Sequence, residues 1–294
     1  MKKKTAIVTG GTANDVPAMA CLVMNIKDTN PNLADEIVIL HDGISEKDQK
    51  LINCIFPTRF ILYESPFEKV EGFKEVITKY FSLMVFCRYE CFRLLEDYET
   101  VIWTDYDVVI LKDLSELLHK TSNSLKLIPA PPASVGSCFT EIPPNADKYD
   151  FNKTSIALPI FVLDDSLVDY KKYYNWIIEN TIRYAEYLVL ADPAIVNLLI
   201  QEFNIEFTPL DRNTYVLHPI NELPCIENKI LHAFGLPKFW NGLHNKTWEK
   251  NYTQWIKMGG TPYEHRTLKY KLKTIKQNFK SKVKKVIKKL VCKA

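Results

Sequence analysis

The stretch VIWTDYDVVILKD, residues 101–113, decides how the rest of the chain is read. It is mostly apolar and β-branched, the composition of a buried strand. Yet Asp105 and Asp107 stand inside it, one residue apart. If residues 101–111 form one strand, positions i and i+2 face the same side. Two carboxylates placed so repel, and one should hold a proton unless a cation lies between them. Hard oxygen ligands suit Mg²⁺ or Mn²⁺, and such an ion keeps open positions for a diphosphate. The plain alternative is a solvated pair at a fraying strand end, with Asp113 capping the helix that DLSELLHK opens and Glu116 at its third position.

Working outward, strand and helix patterns alternate. TAIVT (5–9), EIVILHD (36–42) and RFILYES (59–65) read as strands. PAMACLVMNIKD has helical spacing. ISEKDQKLINCIF reads as a helix with Ser45 as N-cap and Asp48 at its third position. SLMVFCRYECFRLLEDY (82–98) has a strong helical pattern. This alternation predicts an α/β fold with a mainly parallel sheet. Further on, PAPPASVGSCFTEIPPNAD (129–147) reads as a proline-rich loop or lid, and SIALPIFVLDD as a strand. DYKKYYNWIIENTIRYAEYLVL is helical, and another helix starts at Asp192, which its position makes an N-cap. ILHAFGLPKFWNG (230–242) leaves a strand for an irregular loop.

Charge divides the chain. The net charge over 294 residues is +3. Residues 265–294 hold eleven Lys, one Arg and no acid, which is +12 and leaves −9 for the rest. Leu268, Leu272, Ile275, Phe279, Val283, Val286 and Leu290 then form one apolar stripe at helical spacing. The expected organisation is a domain over 1–264 and a basic amphipathic tail over 265–294. A Lys-coated helix with one apolar stripe suits an anionic membrane surface better than nucleic acid, for which only Tyr270 and Phe279 offer rings. No apolar run reaches the roughly 18 residues a bilayer span requires. The seven Cys form no CxxC and are odd in number, which fits a reducing compartment. The expected location is cytoplasmic, peripheral on the inner face of the cell membrane.

VTGGT (8–12) starts like a dinucleotide fold, but TANDVPA follows without the further glycines that bring a helix N-terminus to a pyrophosphate. An NAD-dependent oxidoreductase is one alternative, against which the missing glycines speak. A protein that binds nucleotides or polyanions without catalysis is another.

VIWTDYDVVILKDLSEL closely resembles the DxD segment of glycosyltransferase family 8, the glycogenin-like and bacterial lipopolysaccharide galactosyl- and glucosyltransferases. HDGISEKDQKLI, ADPAIVN and LHAFGLPKFW are similar to other segments of that family, in the same order and spacing. The resemblance implies a GT-A fold, which is a Rossmann-like nucleotide-diphospho-sugar transferase. It also implies a UDP-sugar donor, Mn²⁺ (Mg²⁺ being the other choice) and a retaining transfer of galactose or glucose to a lipid-linked or oligosaccharide acceptor, as in lipopolysaccharide or capsule. Carried over by position, Asp105, Asp107 and His232 hold the metal. Arg88 ties the carboxylates to the donor sugar, and Asp192 lies near the reacting carbon. Gly235 lets a loop approach the diphosphate, and Lys238 pairs with a phosphate. Gly10, Gly11 and Asn14 of the first loop, Tyr106 and Asn152 complete the donor-side candidates. Two departures stand out. Pro193 follows Asp192 where the family often has Gln, and Val16 stands near the place of a base-stacking aromatic.

Overall fold

The computed structural model describes residues 2–121, 123–220 and 224–267. The apolar stripe from Leu268 to Leu290, and nearly all of the basic tail, lie outside the described residues. The elements run β1 (Lys3–Gly11), α1 (Val16–Thr29), β2 (Glu36–His41), α2 (Glu46–Asn53), β3 (Thr58–Leu62), α3 (Glu90–Leu94), β4 (Tyr98–Thr104) and β5 (Val108–Ile110). They continue with β6 (Leu125–Ser134), β7 (Thr154–Asp164), α4 (Tyr170–Arg183), α5 (Ala191–Glu202), β8 (Phe207–Pro209), α6 (Arg212–Tyr215), β9 (Ile230–His232) and α7 (Lys246–Lys257).

The main sheet has the order β3-β2-β1-β4-β7-β6-β8. β3, β2, β1 and β4 are parallel neighbours, while β7 is antiparallel to both β4 and β6. One reversed strand thus interrupts a sheet that otherwise runs one way. Apolar residues cover both faces. Ala6, Val8, Val38 and Leu40 join one buried cluster, and Ile7, Ile37 and Ile39 join another. Burial on both faces explains why β1 and β2 read as continuous apolar runs rather than as alternation. α1 is buried at every position from Val16 to Ile26, because the sheet lies on one side and α7 on the other. Ser45 caps α2 as expected, its hydroxyl accepting from Asp48 N at 3.2 Å. Among the described residues, no helix is long and apolar enough to cross a membrane.

Four sequence expectations are corrected. The stretch 101–111 is two strands: β4 ends at Thr104, the chain bends through Asp105–Asp107, and β5 pairs with β9 in a separate two-stranded sheet. Segment 82–98 is a tight 3-10 turn of helix over Leu83–Tyr89 followed by the five-residue α3. DLSELLHK gives only a 3-10 turn, Ser115–Leu118, and the Asp113 carboxylate accepts from Ser115 instead of capping a helix. The proline-rich stretch begins inside β6, where Pro129 pairs with Ile156. Pro is tolerated there because β8 covers β6 only as far as Leu127, leaving the prolines at a free edge.

Candidate active site

Two local devices put the acids in place. Asp105 N still donates to Pro159 O at 2.9 Å, so the first acid sits at the last rung of the main sheet. Beyond it β5 takes a new partner, and Val108 lies directly opposite His232. That register sets His232 beside Asp107 although the two are far apart in sequence, and Ala233 N donates to Asp107 O at 2.9 Å. The other side of β5 is held by amides. Asn25 of buried α1 accepts from Ile110 N at 2.6 Å and donates to Ile110 O at 3.0 Å. Asn30 does the same for Leu114 N and Lys112 O, at 2.7 and 3.1 Å. These side chains satisfy backbone groups that would otherwise lie buried without partners.

Each acid has a cation of its own. Arg88 Nη2 is 3.2 Å from Asp105 Oδ1, and Trp103 Nε1 donates to the same oxygen at 2.9 Å. His232 Nε2 is 3.1 Å from Asp107 Oδ1 and 3.5 Å from Asp105 Oδ2. Lys238 Nζ donates to Asp107 Oδ2. Burial pushes the Asp107 carboxyl up, but His232 and Lys238 outweigh it and hold the group well below the usual carboxylate range. The repulsion expected of two neighbouring carboxylates is thus met by dividing them between separate protein cations.

Arg88 links this cluster to Asp192. Its Nη1 lies 3.0 Å from Asp192 Oδ2 and donates to Leu158 O at 2.9 Å, and its guanidinium lies over the Trp103 ring at 5.0 Å. Burial disfavours the charge on Arg88, but Asp192 and Asp105 outweigh it and keep the cation firmly protonated. Asp192 is in the opposite position. Burial raises its pKa to about 6 despite Arg88. It occupies the second position of α5, and Leu190 takes the N-cap place that the sequence suggested for Asp192.

These groups line a cavity of about 340 Å³ at the carboxyl ends of β1 and β4. Open α/β sheets bind ligands at that end. Of the sequence candidates, Gly10, Gly11, Arg88, Asp105, Tyr106, Asp107, Asp192, His232 and Lys238 line it. Asn14, Asn152 and Gly235 do not. Asn152 is exposed, and its backbone N–H donates to Asp150. Gly235 is exposed at φ 69°, a conformation that favours glycine on the loop leading to Lys238. The glycine pair has a steric reason. A Cβ on Gly10 would lie 2.5 Å from Cys87 Sγ, and one on Gly11 would lie 2.7 Å from Tyr106 Cε1. The Asp15 carboxylate stands just before α1 and accepts from Thr12 Oγ1 at 2.6 Å, a negative charge where a dinucleotide would need to place its pyrophosphate.

Sequence reasoning missed Trp103, Asp15, Ser155 and the two bracing Asn residues. Each looks like ordinary core or turn in the sequence; Trp103, although it lies two residues before Asp105, reads there as strand core. Asp105, Asp107 and His232 each offer a ligand atom within 4.8 Å of the others. Two carboxylate oxygens and an imidazole fit a divalent ion of the Mn²⁺ type. His232 presents Nε2 to the carboxylates, while its Nδ1 is buried and has no hydrogen-bond partner.

Residues 6–136 match the model of glycosyl transferase family 8. No curated protein matches the chain significantly. Among solved structures, the chain is similar to the apo form of WbbM, described as a bifunctional glycosyltransferase (TM-score 0.64, 15% identity). That match covers 92% of this chain but 52% of WbbM, so the chain spans about half of that relative. The galactosyltransferase LgtC, solved with donor and acceptor sugar analogs, matches at TM-score 0.63 and 16% identity, covering 89% of this chain and 99% of LgtC. The apo form of GlyE from Streptococcus pneumoniae TIGR4 matches at TM-score 0.54 and 17% identity, covering 87% of this chain and 64% of GlyE. At these identities the likeness is one of fold, and that fold is GT-A.

Proposed function

We propose, from the premise that this chain is a glycosyltransferase of family 8, that it moves a hexosyl unit from a UDP-sugar to a surface-glycan acceptor such as lipopolysaccharide or capsule, with retention of configuration. The observation that carries the reading is the cluster of Asp105, Asp107 and His232 in one cavity, flanked by Lys238 on one side and the Arg88–Asp192 pair on the other. Asp105, Asp107 and His232 would hold Mn²⁺. The ion would supply positive charge to a departing diphosphate, which is where such a metal lowers a barrier. Lys238 faces the same place and would leave Asp107 to pair with a phosphate. Arg88 pairs with Asp105 and Asp192 at once, so the end that would take the diphosphate and the end that would take the sugar would be held relative to each other. Asp192 would contact the donor sugar beside the reacting carbon.

UDP release from a panel of UDP-sugars tests this, with Mn²⁺ and with EDTA, for the wild type and Asp107→Ala. Metal-dependent release that the variant lacks is the expected result. No release from any UDP-sugar would contradict the reading.

The domain division at 264/265 and the membrane role of the tail belong to the same proposal. Eleven Lys close to an anionic surface, at about 1 kcal/mol each, are ample for salt-sensitive docking. Full-length protein should pellet with anionic vesicles at low salt and be released at high salt. A chain ending at residue 264 that still pellets would sink the docking idea.

A further inference from the structure

The loop that carries Lys238 has a support outside the cavity. Lys238 closes a compact turn with the residues after it. Its N–H donates to Asn241 Oδ1 at 2.7 Å, and its carbonyl accepts from Asn241 N and Leu243 N at 3.1 and 3.0 Å. Trp240 lies within that turn, so fixing Trp240 and the buried Phe239 beside it also fixes Lys238. On its other side the loop is exposed from Phe234 to Leu236. The Trp240 ring packs against Tyr106, the residue between Asp105 and Asp107, at 6.0 Å between centroids, and against Tyr263 at 5.4 Å. His265 Nε2 lies 2.9 Å from Trp240 O, and a carbonyl can only accept, so the imidazole donates.

Tyr263 and His265 belong to a strap, residues 258–266, that follows α7. Trp255 Nε1 donates to Thr261 O at 2.8 Å, and a Cβ on Gly260 would lie 2.0 Å from Trp255 Cε2, so only glycine fits there. Thr261 donates through N and Oγ1 to the Asp48 carboxylate of α2, at 3.0 and 2.7 Å. Tyr263 N donates to the Tyr252 hydroxyl at 3.2 Å. Arg266 Nη2 reaches both Glu249 oxygens at 2.7 and 2.9 Å, and its guanidinium lies over the Tyr252 ring at 4.6 Å. His265 and Arg266, which charge alone assigns to the tail, therefore pack on the domain. None of residues 258–266 lines the cavity.

Building on the UDP-sugar reading above, we propose that Tyr263 and His265 of this strap are positioning residues for donor binding. They hold Trp240, and through it the Lys238 ammonium and the Tyr106 ring, where the diphosphate arrives. With no ligand bound, Lys238 is also tied to Asp107. A diphosphate takes Lys238 away from that carboxylate, and the grip on Trp240 then keeps the ammonium in place. Holding it there in advance spares the ordering cost that a loose loop would charge to each binding event. Metal binding rests instead on Asp105, Asp107 and His232, which the strap reaches only through Trp240 and Tyr106. The strap should therefore act on UDP and hardly on the ion.

The test uses the full chain, with calorimetric titration of UDP in the presence of Mn²⁺ and a separate titration of Mn²⁺ alone. His265→Ala and Tyr263→Leu should each weaken UDP binding roughly five- to tenfold, the share of one hydrogen bond or one aromatic pair. Both should keep Mn²⁺ affinity within about twofold, a split that general loosening of the fold would not give. His265→Gln keeps a side-chain N–H for Trp240 O and should retain most of the affinity that His265→Ala loses. Ile177→Val removes one buried methyl in α4, on the other face of the sheet, and should leave UDP affinity unaltered. UDP affinity near the wild-type value in both His265→Ala and Tyr263→Leu would overturn the inference and leave the UDP-sugar reading intact. Equal losses of UDP and Mn²⁺ affinity, or a similar loss in Ile177→Val, would also overturn it, because the strap would then serve stability alone. Wild type that binds no UDP would overturn both readings.

Discussion

The two ends of one cavity were built by different means. The charged end draws its side chains from two sheets: Asp105 closes the ladder of the main sheet, and Asp107 and His232 lie where β5 and β9 pair. Its groups are held by opposite charges, so removing one leaves another buried and unpaired. The apolar end comes from the reversed strand β7, the proline-bearing edge of β6 and the start of α5, and there apolar packing is joined by the Asn197 amide, which accepts from Ile156 N at 3.2 Å and donates to Ser155 Oγ at 2.9 Å. Arg88 is the joint between them. What this teaches is that the charged groups gather where the backbone is irregular, at the switch from one sheet to the other, while the opposite end is lined by residues that look like core.

The comparison breaks most readily at the joint. Replacing Arg88 with Met should strip both Asp105 and Asp192 of their cation, at a cost of about 3–5 kcal/mol in urea unfolding, the range for breaking a buried pair. A loss below about 1 kcal/mol would mean that the two acids are not held by Arg88. At the charged end, Asp107→Ala should lower metal-dependent UDP release by about 10²–10³-fold, as loss of a group that stabilises developing charge does. Unaltered release would separate this cluster from the chemistry.

Asp192 sharpens the contrast through pH. Its pKa in the folded protein, about 6, lies above the ordinary carboxylate value of 3.8, so the folded state holds the proton more tightly. Its contribution to stability is therefore fully present below pH 3.8 and fades as pH rises through 6. Between pH 4 and 7.5 the wild type should lose roughly 1–3 kcal/mol relative to Asp192→Asn, by linkage. Denaturant unfolding of both proteins across that range checks it, and a pH-independent difference would contradict the assigned environment. The smallest effect is expected outside the cavity. Asn152→Ala should change stability by no more than about 0.5 kcal/mol and leave UDP-sugar affinity unaltered. Weakened donor binding would mean that Asn152 reaches the ligand after all.

How much of this the sequence disclosed follows the same division. The pair Asp105 and Asp107 stood out in the sequence as two acids in an apolar stretch, whereas His232, Lys238 and Asp192 were singled out only through the family resemblance of LHAFGLPKFW and ADPAIVN, being ordinary polar residues when read alone. The α/β alternation was legible for a similar cause, since β1 and β2 are apolar runs flanked by helical periods. The apolar end was not legible, because Ile156, Ala157 and Leu190 cannot be told from core residues without knowing that a cavity adjoins them. The break at Thr104 was hidden because VIW and VVI have the same composition, and only the pairing of Val108 with His232 reveals two strands. The role of Asn25 and Asn30 was hidden because a buried amide on a helix becomes meaningful only beside the strand edge it satisfies.

The central claim is that Asp105, Asp107 and His232 hold a divalent ion which in turn holds a nucleoside diphosphate. Titration of Mn²⁺ followed by electron paramagnetic resonance, with and without UDP, tests it most directly. One Mn²⁺ per chain is expected, bound more tightly when UDP is present and lost in Asp107→Ala. UDP binding that is indifferent to EDTA and to Asp107→Ala would contradict it.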